Sequence, residues 1–151
     1  MCRADSESFT LISGLLIGGA FLGALLFCWV LSVFFEWPVT LSWAHSEPQK
    51  FLVICLITPI VEEYLFRGII FEFLENRLPS RPLFLFGWLS AANIASTILF
   101  VGLHLFTRDP LSAGLVIVPS LYLGMIKESS GKLWVCIGIH AFRNFCWGSI
   151  A

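Results

Sequence analysis

The chain has 151 residues, 58% of them hydrophobic and only 13% charged, with a formal net charge of −1 and a mean hydropathy of +0.88. Soluble domains average about 45–50% apolar and about 25% charged residues. Nine Lys and Arg with ten Asp and Glu cannot clothe a water-soluble protein of this size. The composition excludes a soluble enzyme, a disordered chain and a coiled coil. A near-zero net charge also excludes nucleic-acid and nucleotide partners, because no basic field exists to hold phosphates. What remains is an integral membrane protein in one domain, residues 1–151, with lipid as its partner and solvent.

The first apolar block, Phe9 to Phe35, runs for 27 residues without a charge, long enough to span a bilayer. Its length and the acidic Met1–Ser8 before it argue against a signal peptide. Gly14-x-x-x-Gly18 and Gly19-x-x-x-Gly23 offer a small face for close helix packing. Glu36 to Lys50 is a polar connection, and His45 within it reads as a loop residue. A second segment runs from Phe51 to Leu74 and is closed off by Pro79 and Pro82.

The third block, Leu83 to Phe106, carries His104. Thr107–Pro110 is a turn. The fourth, Leu111 to Ile126, is short for a span and contains Pro119. Lys127–Lys132 forms another turn, and the fifth block runs from Leu133 to Ile150. The expected fold class is all-α: a polytopic bundle of about five membrane segments, its motif-bearing core at about 51–150. Arg3, Arg77, Arg81, Lys127 and Lys132 fall on one side, Lys50 and Arg108 on the other, which predicts a cytoplasmic N-terminus. Cys2, Cys28, Cys55, Cys136 and Cys146 show no metal-ribbon or disulfide spacing and read as small buried hydrophobes.

Ionisable groups inside a bilayer are costly and mark function. The second segment has three: Glu62, Glu63 and Arg67. Glu63 and Arg67 stand at i and i+4, acid first, the favoured arrangement for an ion pair. Glu62 projects about 100° away and is the carboxylate left for proton transfer. Pro59 lacks an N–H. In an α-helix it orphans a carbonyl near Cys55 and kinks the chain just before the glutamates. Phe100 and His104 share one helix face, as do His140 and Asn144. This set can activate water and stabilise an oxyanion. The alternative is zinc held by Glu62, His104 and His140. The chain has no H-E-x-x-H and no G-x-S-x-G, and its two aspartates, Asp5 and Asp109, lie outside the apolar blocks. The usual zinc-protease helix, the serine elbow and an aspartyl dyad are therefore absent.

Glu62-Glu63-Tyr-Leu-Phe-Arg67 resembles the E-E-x-x-x-R signature of the CAAX-protease and bacteriocin-processing (Abi) family of glutamic-type intramembrane endopeptidases. Phe100-Val-Gly-Leu-His104 is similar to its F-x-x-x-H motif, and His140-Ala-Phe-Arg-Asn144 to its H-x-x-x-N motif. Gly131-Lys-Leu-Trp134 is similar to the usual entry into the last helix. The resemblance covers about Thr58 to Phe145. It implies that Glu62 and His104 activate the attacking water, that His140 and Asn144 bind the oxyanion, and that Glu63 and Arg67 brace the site. It implies metal-free catalysis, with no cofactor.

CAAX-processing members are typically longer. The chain is similar to compact bacterial members that process C-terminal sorting tails. The implied partner is a membrane-anchored or lipidated protein or peptide, and the implied location is the bacterial inner membrane. Two rivals use the same polar cluster. One is a non-enzymatic interaction or immunity protein. The other is a small transporter or proton relay, against which the absence of an internal repeat argues.

Overall fold

The computed structural model describes residues 6–78 and 89–150, with side chains from Leu11 onward. Cys2, Arg3, Asp5, Pro79, Arg81 and Pro82, and residues 83–88 of the third block, lie outside the described residues. The described chain is built of helices: α1 (Ser6–Phe35), α2 (Trp43–Ser46), α3 (residues 48–75), α4 (Ala91–Leu105), α5 (Pro110–Ser130) and α6 (Leu133–Gly148). It is an all-α membrane protein. By length and composition, α1 and α5 can each cross a bilayer.

The uncharged run of α1 ends at Glu36, whose φ of 54° is left-handed. There Trp37 N–H bonds back to the Ser32 carbonyl at 3.1 Å, a closing turn that uses a helix-end carbonyl. Leu11, Leu15, Leu22 and Leu26 are exposed, as lipid-facing side chains are. Nothing lies within 4 Å of a Cβ built on Gly14, Gly18 or Gly23, so none of these three glycines is in close packing within the described chain.

Two segments differ from their sequence outlines. The helix of the third block begins at Ala91, because Ser90 is extended and its hydroxyl accepts the Asn93 N–H. That N-cap satisfies an otherwise orphan donor and fixes the start. The resulting 15-residue helix is about 22 Å long at 1.5 Å per residue, shorter than the hydrocarbon core. The fourth block is longer than its apolar run and continues through Lys127 to Ser130. Ser129 and Ser130 hydroxyls bond the Ile126 carbonyl at 3.3 and 2.6 Å, and Gly131, at φ 67°, caps the end. Pro119 is tolerated because it stands in the first turn of the Ile117–Ser130 part, where a missing N–H removes no intrahelical bond.

At the start of α5, Asp109 accepts the Ser112 N–H at 3.0 Å. Hydrogen bonds from Ser112 hold its carboxyl below the usual range, which marks a capping residue.

The chain packs as two compact units, one within residues 1–61 and 134–151, the other within 62–133. In the first, Cys28, Cys146 and Ile150 form a buried cluster with Leu31 and Phe142 against it. Cys55 and Cys136 are likewise buried, and all four are free thiols. Trp43 clamps the end of α6: its indole N–H donates to Ser149 Oγ at 3.1 Å, and its ring stacks on Phe145. A Cβ on Gly148 would come within 2.5 Å of that ring, so only glycine lets the indole lie so close. In the second unit, Phe66, Phe100 and Val116 form the core with Ile70 and Val101. Asn93 lies against Gly124 so closely that a Cβ there would meet its amide.

Candidate active site

Helix α3 is not uniform. It passes from α to π register over Leu52–Ile57, returns to α over Thr58–Glu63, and is π again over Tyr64–Ile70. π-Registered stretches concentrate at functional sites. Here they flank the paired glutamates.

In the second unit, Glu63 is fully buried and Arg67 is 2% exposed. Arg67 Nη1 donates to Glu63 Oε1 at 3.3 Å. Its other terminal nitrogen donates to the Ser120 carbonyl at 2.9 Å and to Ser120 Oγ at 2.7 Å. Its guanidinium also lies 4.8 Å over the Phe100 ring, a cation–π contact strengthened by exclusion of water. Phe100 in turn meets Phe66 edge-on at 4.9 Å. A buried ion pair persists only when further hydrogen bonds satisfy its remaining protons. Ser120 provides two of them.

His104 is buried. Its Nδ1 lies 3.0 Å from the Phe100 carbonyl oxygen. A carbonyl can only accept, so Nδ1 carries the proton and, in the neutral ring, Nε2 holds the lone pair. That is the tautomer needed to orient or deprotonate a water. The imidazole also lies 4.4 Å from the Phe100 ring. Phe100 therefore serves both motifs: its ring faces Arg67 and its carbonyl fixes His104. Glu62, next to the buried Glu63, is partly accessible.

In the first unit, His140 is buried and Arg143 Nη2 lies 3.3 Å from its Nε2. A guanidinium can only donate, so this Nε2 accepts. Arg143 Nη2 also donates to Asn144 Oδ1 at 3.4 Å, which makes Arg143 the link between His140 and Asn144. Asn144 Nδ2 donates to the Ile54 carbonyl at 2.9 Å. The sequence places the carbonyl freed by Pro59 near Cys55, one turn back; in the π register it is that of Ile54.

Among the described residues no group of three or more His, Cys, Asp or Glu side chains is arranged to hold a metal ion.

Sequence reasoning missed Ser120, Thr97, Asn93 and Ser96. Thr97 and Ser120 hydroxyls are 3.1 Å apart, Thr97 lies 3.5 Å from Asn93 Oδ1, and Asn93 Nδ2 donates to the Leu121 carbonyl at 3.1 Å. Ser96 donates to the Phe66 carbonyl at 3.0 Å. A signal existed: Asn93, Thr97, Phe100 and His104 follow one another at spacings of four, three and four, a single helix face. Ser120 carries no comparable signal.

With this geometry in hand, the chain can be set beside known families. The family model described as "Type II CAAX prenyl endopeptidase Rce1-like" covers residues 44–146. No curated protein and no solved structure matches the chain.

Proposed function

The chain belongs to the Rce1-like type II CAAX prenyl endopeptidase family, and from that premise we propose how this membrane-embedded protease works and what it cuts. The coarse activity is that of an intramembrane endopeptidase. The proposed reaction is hydrolysis of a peptide bond near the C-terminus of a membrane-anchored or lipidated protein, by a glutamate-activated water.

The observation that carries this reading is the division of labour between adjacent carboxylates. Glu63 is buried against Arg67 at 3.3 Å, while Glu62 is partly accessible. Glu62 is the proposed general base. It takes a proton from water as the oxygen attacks the scissile carbonyl, and returns it to the departing amine. His104, with its proton on Nδ1, presents Nε2 to the same water. The family's motif assigns His140 and Asn144 to the oxyanion. Arg143, donating to both, supplies the positive charge that such an oxyanion needs.

The finer proposals are a lipidated or sorting-tail substrate, an N-terminus on the cytoplasmic side and a bacterial inner membrane. The support for the orientation is the distribution of Lys and Arg. The test uses purified protein in liposomes with two peptides. One ends in a prenylated cysteine motif. The other carries an apolar helix and a basic tail. Mass spectrometry should find one defined cut in at least one of them, unchanged by a zinc chelator. Absence of any cut in either would overturn the substrate reading. Loss of the cut on chelation, restored by zinc, would overturn the metal-free one.

A further inference from the structure

Pro59 is buried and has no N–H to donate. The register around it decides which carbonyl that omission strands. Thr58 N–H bonds to the Val53 carbonyl, five residues back, so the ladder reaches Pro59 in π register. Its next rung would run from residue 59 to Ile54, and a proline cannot make it. In a membrane segment no bulk water is at hand, and a neighbouring protein group or an ordered water must fill the gap. Asn144 Nδ2 stands 2.9 Å from that carbonyl. Its Oδ1 accepts from Arg143, so both ends of the carboxamide are engaged. The acceptor at Ile54 also fixes which end is the NH2.

We infer that Asn144 is a positioning residue: its amide replaces the hydrogen bond that Pro59 removes from α3, and so holds the helical turn that leads into Glu62. This goes beyond the oxyanion role that the family's motif implies. Its structural half is independent of the proposed function; only the activity arm of its test rests on that reading.

The test is a double-mutant cycle on N144A, P59A and N144A/P59A, with the intact protein in detergent and in liposomes. P59A restores an N–H at position 59, so the two changes should compensate. N144A should melt several degrees below wild type, and most of that loss should disappear in the P59A background. Cleavage should fall on the order of 10-fold with N144A in the wild-type background, and P59A should recover only the part of that loss that comes from the disturbed turn, leaving the part owed to the oxyanion contact. If N144A does not accumulate, N144A/P59A should.

The inference is overturned if N144A costs the same melting temperature in both backgrounds. It is equally overturned if neither N144A nor the double variant accumulates while P59A does. Wild-type cleavage is measured alongside. If wild type cuts nothing, the functional reading fails, and the melting and accumulation arms still decide the role of Asn144.

Discussion

Ile54 and Phe66 lie in the two π-registered stretches of α3, and a side chain from another helix reaches each of their carbonyls. Asn144 donates to Ile54 at 2.9 Å and Ser96 to Phe66 at 3.0 Å. The backbone makes the difference. Phe71 N–H also bonds the Phe66 carbonyl, so Ser96 adds a second donor to a group already satisfied. For Ile54 the corresponding position is Pro59, and the backbone supplies nothing. One missing N–H turns the side-chain bond from a supplement into a requirement. The lesson is general for membrane helices, where a freed carbonyl has no bulk water to turn to.

Three substitutions, graded by expected cost, probe this contrast. The largest effect belongs to the second stretch, through Arg67 rather than through its carbonyl. R67M removes the partner of a fully buried carboxylate, and breaking one half of a buried pair costs about 3–5 kcal/mol. Thermal unfolding in detergent should show the loss, and Arg67 would lose its central place if R67M melted like wild type. N144A follows, at about 1–3 kcal/mol for a stranded buried acceptor. S96A is the smallest, at about 0.5–1.5 kcal/mol for one net hydrogen bond. Equal melting temperatures for N144A and S96A would break the comparison, because they would mean that Pro59 makes no difference.

The pairing of Glu63 with Arg67 was legible in the sequence. An acid and an arginine four residues apart must share a helix face, and Glu63 and Arg67 do pair. A proline inside an apolar helix must strand a carbonyl, and one near Cys55 is met by a side chain. The register was not legible. A π stretch has no compositional signature, since it follows from how neighbouring turns pack, and it decides that the stranded carbonyl near Cys55 is that of Ile54. Ser120 was hidden because a single hydroxyl in an apolar block resembles any tolerated serine. Its importance comes from Arg67, which lies 53 residues away in sequence. The ends of α4 and α5 were misjudged for a related reason. Apolar composition marks what can be in lipid, whereas Ser90 and Gly131 set where the helix starts and stops.

The central claim is that two neighbouring carboxylates have been given different tasks, and one measurement addresses it. Turnover of a cleaved peptide is compared for Glu62→Gln and Glu63→Gln, with melting temperature recorded for each. Glu62→Gln should lose at least about 100-fold in rate, the scale of a missing general base, while melting close to wild type. Glu63→Gln should lose less rate and more stability, because its carboxylate belongs to the Arg67 network. Retention of near-wild-type turnover by Glu62→Gln would contradict the account.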